Sequence, residues 1–199
     1  MEIFQWKGQL ETHPGGDHIS LEETTHIGEE IADVFIYSTR LSDICNIDLA
    51  QAVAFALSQV QGEHKCSRPN EAAWLELPLD TLLNSAADVR GAYRSQRHIC
   101  FALQAAVGRL CEVFSRNAET ECTVGLPHWS NADIEEMSTH LGSIGVLLAC
   151  LASASGVSLS QCITDKFTKN ARKYPADKAR GSSAKYTEYA ESTSDPQST

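Results

Sequence analysis

The chain has 199 residues, 42% of them hydrophobic, which is enough apolar material for one substantial domain or two small ones. Its formal charge of −10 argues against a general nucleic-acid-binding protein, because phosphate backbones attract net-basic surfaces. Seven scattered cysteines without a C-x-x-C pair favour buried thiols over disulfides or zinc sites, and we expect a cytoplasmic protein. The most apolar run, Ile144–Leu159, is short and contains serines, so we interpret it as a buried helix rather than a membrane span.

In chain order, the first predicted elements are the end of a helix at Met1–Gly8 and a turn-rich loop at His13–Asp17. The Ser-Leu-Glu-Glu pattern at Ser20 is a capping box and predicts a helix that runs to about Ile44. Asp48 predicts the cap of the next helix, which extends from about Leu49 to Val60. We interpret residues 61–78 as a linker. Further helical stretches are predicted at Leu79–Arg97 and Ile99–Phe114.

Within the helix predicted to begin at Ser20, the segment Ile27–Tyr37 contains three acids in an otherwise apolar pattern. Apolar residues at three- and four-residue steps are predicted to face the core: Ile27, Ile31, Val34 and Leu41. Glu30 and Asp33 share another face, with His26 one turn before them and Tyr37 one turn after. Two neighbouring carboxylates suit a hard cation such as Mg²⁺, but a solvated flank of an amphipathic helix has the same spacing. The spacing alone leaves both interpretations open.

The second half of the sequence repeats the first at a constant offset of 110 residues, without gaps. The offset pairs helix caps and core positions alike: Glu2 with Glu112, Phe4 with Phe114, Ser20 with Ser130, Asp48 with Ser158, and Leu49 with Leu159. A single period across some fifty positions predicts a tandem duplication. The first repeat covers residues 1–60 and is incomplete at its N-terminus, and the second covers residues 79–189 with a basic tail. Residues 190–199 are predicted to be disordered.

The two repeats differ in their charged residues. The offset pairs each of the three acids between Ile27 and Tyr37 with a residue that is not acidic: Glu29 with Thr139, Glu30 with His140 and Asp33 with Ser143. It also pairs polar residues of the second repeat with apolar residues of the first: Lys166 with Ala56 and Asn170 with Val60. The basic segment that begins at Lys166 suits a phosphate-binding cluster, and equally a solvated basic helix end.

Several segments, taken in order, resemble the all-α nucleoside triphosphate pyrophosphatases of the MazG-like superfamily, and among these the eukaryotic dCTP pyrophosphatases. The similar segments are Phe4-Gln-Trp-Lys, Glu29-Glu-Ile-Ala-Asp-Val-Phe-Ile-Tyr, Asp48-Leu, Lys166-x-x-x-Asn-x-Arg-Lys-Tyr-Pro and Lys185-Tyr-Thr. The resemblance implies an all-α fold with a four-helix-bundle core and an oligomer, which for a duplicated chain we expect to be a homodimer. It also implies Mg²⁺-dependent hydrolysis of dCTP or a related dNTP to dNMP and diphosphate.

The same resemblance implies roles for particular residues. Glu30 and Asp33 would bind Mg²⁺ and take part in catalysis. Trp6 and Tyr37 would contact the base and sugar. Three residues near the basic end would contact the triphosphate or sugar: Lys166, Asn170 and Tyr174. For Trp6, Tyr37 and Tyr174, the alternative is a structural role, in which the ring packs within the protein and its N–H or O–H group has a hydrogen-bond partner.

The sequence also departs from the family. Family members carry an additional E-x-x-E pair just upstream of the position of Glu2, before this sequence begins, and the second repeat has Ala106 and Arg109 at the corresponding positions. In one account, an upstream segment completes a composite site made from the acids of the first repeat and the basic end of the second, while the reciprocal site is inactive. In the other, the chain is a non-catalytic, nucleotide-binding or dimerising scaffold. A purely structural interaction module is a third, lesser alternative.

Overall fold

The computed structural model describes residues 20–64, 77–93, 95–118 and 123–175. Within these ranges the chain is all-α, as expected, and contains no strand. The helices are α1 (Leu21–Cys45), α2 (Leu49–His64), α3 (Leu79–Ala86), a 3-10 helix (Ala87–Ala92), α4 (Gln96–Arg116), α5 (Asn131–Ala154) and α6 (Leu159–Lys173). The predicted elements at Met1–Gly8 and His13–Asp17, most of the linker and the C-terminal tail lie outside the described residues.

Side-chain caps define where four of the helices begin. The Ser20 hydroxyl accepts a hydrogen bond from the amide of Glu23, whose carboxylate accepts one from the amide of Ser20, so the predicted capping box is confirmed. Asp48 caps α2 by accepting from the amide of Gln51. Ser130 and Ser158 cap α5 and α6 in the same way. The four caps therefore form two pairs at the offset of 110, while the duplication itself stays a prediction.

The predicted core face of α1 is partly wrong. Ile27 and Ile31 are buried, but Val34 is 38% exposed. The buried stripe instead continues through Phe35 and then includes Ser38 and Ser42. Both serine hydroxyls donate to backbone carbonyls of the same helix, so their burial leaves no unsatisfied donor. Sequence spacing gives the helical period, but the neighbouring helices decide which side of the helix faces the core.

Two helix boundaries also differ from the prediction. Helix α2 continues to His64 instead of ending near Val60. The stretch Leu79–Arg97 is not one helix, because α3 ends at Ala86 and passes into the 3-10 helix. Helix α4 then begins anew, with the Ser95 hydroxyl accepting from the amide of His98. The Ser95 cap therefore marks an independent start for α4.

Helix α5 forms the centre of the core and packs against α1, α2 and α4. It is long and apolar enough to cross a membrane, but 67% of its apolar window is buried within the protein. That burial is typical of the core helix of a bundle, and it agrees with the interpretation of this run as a buried helix. Three of the cysteines lie in the core: Cys45, Cys100 and Cys150. Cys111, in contrast, is exposed on α4.

Two glycines mark the closest helix contacts. A Cβ atom added at Gly142 on α5 would lie 2.1 Å from the carbonyl oxygen of Ala52 on α2. One added at Gly28 on α1 would lie 2.6 Å from Cys162 Sγ on α6. The absence of a side chain therefore allows α5 to approach α2, and α1 to approach α6. Each of these pairs joins a helix from one half of the sequence to a helix from the other.

Candidate functional site

Acids of α1 meet lysines of α6 along the contact between these two helices. Lys166 Nζ lies 2.5 Å from Asp33 Oδ2. Lys169 Nζ lies 2.5 and 2.6 Å from the two carboxylate oxygens of Glu29. We call these four residues the acid–lysine cluster. The contact of α1 with α6 thus brings together charged groups that are far apart in the sequence.

Partial burial strengthens the interactions within the acid–lysine cluster. The side chain of Lys166 is only 12% exposed, so little solvent is available to compensate its charge, and Asp33 provides that compensation. The hydrogen bond from Lys169 is the main reason that the pKa of Glu29 lies below its usual value. The charges of Lys169, Lys166 and His26 lower this pKa further, while partial burial of the carboxyl opposes them.

Glu30 occupies a different environment from the other two acids. Its side chain is 63% exposed, and its Oε1 atom lies 3.3 Å from His26 Nε2 on the same helix. Asp33 stands one turn further along α1 and is 33% exposed. Tyr37, one more turn along, is 75% exposed. The predicted stripe of Glu30, Asp33 and Tyr37 therefore lies on the outer side of α1, and Asp33 alone of these three is paired with α6.

A cleft of about 300 Å³ begins one turn beyond Asp33. It lies between α1 and α6, and its lining residues are Phe35, Ile36, Thr39, Arg40, Asp43 and Phe167. Tyr37, which was predicted to contact the base and sugar of the nucleotide, is not among them. Trp6 lies outside the described residues. This lining was not predicted from the sequence. A usable signal was present at Phe167, an aromatic residue next to Lys166 in the mostly polar second half of α6.

The remaining predicted residues follow Lys166 along the C-terminal end of α6. Asn170 lies one turn further on and is half-buried. Tyr174 directly follows the helix, is 42% exposed, and donates its backbone amide to the carbonyl of Asn170 at 2.8 Å. Asn170 therefore lies one turn beyond the acid–lysine cluster on α6, and Tyr174 lies at the end of that helix. The second basic segment, at Lys185, lies outside the described residues.

The described residues fit part of a magnesium site. Mg²⁺ commonly takes one or two carboxylates from the protein and completes its shell with water and substrate phosphates. Glu30 and Asp33 are carboxylates one turn apart and suit that pattern. Within residues 20–64, 77–93, 95–118 and 123–175, no group of three or more His, Cys, Asp or Glu side chains is arranged to hold a metal. Water or the oxygens of a phosphate ligand would complete the shell.

About half of this chain is similar to dCTP pyrophosphatase 1. The mouse protein is 30% identical over 101 residues, which cover 51% of this chain and 58% of the mouse protein. The human protein is 33% identical over 96 residues, which cover 48% and 55% of the two chains, and the bovine protein is 32% identical over a similar length. No protein-family model matches the chain, and no solved structure matches it.

The chain thus spans a little over half the length of the dCTP pyrophosphatases that it matches. This distant similarity agrees with the family resemblance seen in the acidic and basic segments. It supports a relation to the nucleoside triphosphate pyrophosphatases in general terms. These comparisons do not test the predicted internal repeat.

Proposed function

We propose that the chain acts as a dCTP pyrophosphatase-like nucleoside triphosphate pyrophosphohydrolase, which converts a dNTP and water into dNMP and diphosphate. The observation that carries this proposal is the 2.5 Å contact between Lys166 and Asp33. It joins a residue type that binds phosphate to one that binds Mg²⁺, at the meeting of two helices. The distant similarity to dCTP pyrophosphatase 1 supports the same class of substrate.

In this proposal Glu30 and Asp33 hold Mg²⁺ at the outer side of α1. Bound Mg²⁺ would neutralise charge on the phosphates and polarise the attacked phosphorus. The ammonium of Lys166 then leaves the carboxylate of Asp33 and contacts a phosphate oxygen instead. Asn170 and Tyr174 extend the row of donors along the triphosphate and sugar. Together these side chains would orient the α–β phosphate linkage for attack by water.

The cleft beside Asp33 is suited to the base and sugar of the nucleotide. Its volume of about 300 Å³ lies at the lower end of the range for small-molecule sites. Phe35 and Phe167 supply aromatic and apolar surface, and stacking of a base on an aromatic ring contributes about 1–3 kcal/mol. Trp6 and Tyr37 are retained as base and sugar contacts on the family resemblance alone.

We further propose that the chain arose by tandem duplication and that its two halves share one active site. The paired caps at the offset of 110, and the pairing of α1 with α6 and of α2 with α5, support this proposal. The reciprocal site lacks the acids and is proposed to be inactive. A homodimer and a cytoplasmic location complete the proposal.

The deciding experiment compares two variants of the full chain in a pyrophosphate-release assay with dCTP and Mg²⁺. Asp33→Asn removes the carboxylate charge at nearly constant volume, and we expect kcat/KM to fall by at least about 100-fold. Glu22→Gln is the matched control, since it makes the same charge change in the first turn of the same helix, and we expect unchanged activity. Full activity in Asp33→Asn would remove Asp33 from the mechanism.

A second candidate function is a non-catalytic nucleotide-binding scaffold. It is favoured by the two ion pairs, which already neutralise Asp33 and Glu29, and by the lack of a third metal-binding side chain within the described residues. Calorimetry with a non-hydrolysable dCTP analogue separates the two functions. Saturable binding without pyrophosphate release would identify a scaffold, whereas neither binding nor release would leave a structural interaction module.

A further inference from the structure

A second cleft, of about 150 Å³, lies between α2 and α5. Thr139 and Ser143 of α5 and Ala56 and Gln59 of α2 line it. At the offset of 110 these four positions correspond to the four members of the acid–lysine cluster: Thr139 to Glu29, Ser143 to Asp33, Ala56 to Lys166 and Gln59 to Lys169. We call this second cleft the neutral cleft, because an uncharged side chain stands at each position that is charged in the cluster.

Among the residues that the structure describes, none that lines the neutral cleft carries a charged side chain. This described lining offers no charge to compensate a phosphate or a metal ion. Apolar groups form much of its wall, including Val60 and Leu147, and two aromatic residues, Phe55 and Tyr93, also line it. Placing an isolated charge against such a surface costs several kcal/mol. The occupant that suits this surface is therefore uncharged and largely apolar.

The two hydroxyls of the neutral cleft restrict the occupant further. Ser143 Oγ donates to the carbonyl of Thr139 at 2.8 Å, and Thr139 Oγ1 donates to the carbonyl of Glu135 at 2.9 Å. Because each hydroxyl has one proton and has already donated it, each oxygen has only lone pairs to offer a ligand. A ligand that satisfies these oxygens must itself carry an N–H or O–H donor.

Close packing of α5 against α2 holds the two helices beside the neutral cleft at a short separation. Gly142 on α5 leaves room for the carbonyl of Ala52, and a Cβ atom at Gly145 would lie 2.8 Å from Val53 Cγ2. Both contacts join α5 to α2, the two helices that form the walls. A rigid wall lowers the entropic cost of binding a small ligand.

We propose that the neutral cleft binds an uncharged six-membered heteroaromatic ring that carries an amino group, of the kind found in nucleobases and nucleosides, without phosphate or metal. A cavity of about 150 Å³ is large enough for a single six-membered ring. The ring packs against Leu147 and Phe55, and its amino group donates to the hydroxyl oxygen of Ser143 or Thr139. The site is distinct from the acid–lysine cluster and does not depend on catalysis there.

The test uses 1-methylcytosine as the probe, titrated into the full chain in excess EDTA and followed by protein NMR. We expect saturable binding. Ser143→Ala and Thr139→Val each remove one acceptor oxygen, and each should weaken binding about fivefold. As a ligand control, 1-methylpyrimidin-2-one has the same ring without the amino group, and neither substitution should change its affinity. Alanine is a better helix former than serine, so α5 should remain folded in the first variant.

Phe167→Ala serves as the matched protein control, because it alters the cleft beside Asp33 and leaves the neutral cleft intact. Because the proposed function also places a base on Phe167 in the first cleft, binding is followed at the resonances of residues that line the neutral cleft, where we expect the same affinity as in the unmodified chain. Three results would each overturn the proposal: no shifts at these resonances up to about 20 mM probe, their loss in Phe167→Ala, or equal effects of Ser143→Ala on the two ring compounds. The assay contains no metal and follows no turnover, so its outcome is independent of pyrophosphatase activity.

Discussion

Lys166 on α6 lies against Asp33 on α1, with 2.5 Å between Nζ and Oδ2. The lysine side chain is only 12% exposed, so its charge depends on this carboxylate. A metal ion that binds Asp33 competes with the ammonium for the charge of this carboxylate, and a nucleotide phosphate would offer the ammonium a new partner. Metal binding and nucleotide binding should therefore be coupled through Lys166.

Replacing Lys166 should separate these two binding events. In Lys166→Gln the carboxylate of Asp33 loses its cationic competitor, so Mn²⁺ affinity without nucleotide should rise, by roughly five- to tenfold. The affinity for a dCTP analogue should fall, because the phosphates lose a charged donor. Electron paramagnetic resonance of Mn²⁺ measures the first effect and calorimetry the second. Arg109→Gln makes the same charge change on α4 and should alter neither the Mn²⁺ affinity nor the affinity for the dCTP analogue. A fall in both affinities would show that Lys166 does not compete with the metal.

The ion pair between Glu29 and Lys169 predicts a pH dependence of stability. The hydrogen bond from Lys169 lowers the pKa of Glu29 below its usual value of 4.5, so between these two pKa values the unfolded chain binds more protons than the folded chain. Glu29 therefore stabilises the fold above about pH 4.5, and this contribution is lost as the pH falls through the folded pKa.

We expect Glu29→Gln to cost about 0.5–1 kcal/mol at pH 7, measured by urea unfolding, and to cost progressively less below pH 4.5. Glu22→Gln, on the same helix, is the control. A difference between Glu29→Gln and the unmodified chain that stays constant down to acidic pH would argue against this ion pair in solution.

Replacing glycine by alanine should change the stability of the protein in opposite directions at two positions. At Gly142 a Cβ atom would lie 2.1 Å from the carbonyl oxygen of Ala52, so Gly142→Ala must push α5 away from α2. We expect a loss of about 1–3 kcal/mol in the free energy of unfolding. Gly108 lies within α4 with no atom near its Cβ position, and Gly108→Ala should stabilise the protein by about 0.5–1 kcal/mol. If Gly142→Ala were as stable as the unmodified chain, the two helices could not be this close.

Thiol reactivity should follow the positions of the cysteines in the core. Burial raises the pKa of the Cys100 thiol above its usual value, so the reactive thiolate is scarce as well as shielded. Cys111 is on the exposed side of the same helix. Under native conditions, peptide mapping after brief alkylation should show Cys111 modified well before Cys45, Cys100 and Cys150. Comparable rates at Cys100 and Cys111 would show that α4 does not pack as described.

The elements that sequence analysis located most accurately are those set by local hydrogen bonds. Ser20 and Glu23 lie three residues apart, and that spacing alone allows the two reciprocal bonds of the capping box. Asp48 caps α2 for the same reason. Val34 and the Leu79–Arg97 stretch were misassigned, because the buried side of a helix and its C-terminal end depend on neighbours that the local sequence does not name.

The same distinction between local and tertiary information holds for the candidate site. Glu30 and Asp33 could be chosen from their helical spacing, and Lys166 from the basic segment that it begins and from the family resemblance. The cleft lined by Phe35 and Phe167 was missed, because its walls come from two helices far apart in the sequence. The neutral cleft was missed for the same reason, although the offset of 110 had already indicated that its charges were absent.

The sequence by itself determined the all-α class, the capped starts of α1 and α2 and the uneven distribution of acids and lysines between the two halves. These properties depend on residues a few positions apart, or on composition. Only the tertiary structure decided that Lys166 faces Asp33 and that α2 faces α5, because these contacts depend on which helix surfaces can approach closely. The glycines that permit the approach, Gly28 and Gly142, acquire their meaning only when Cys162 and Ala52 lie opposite them.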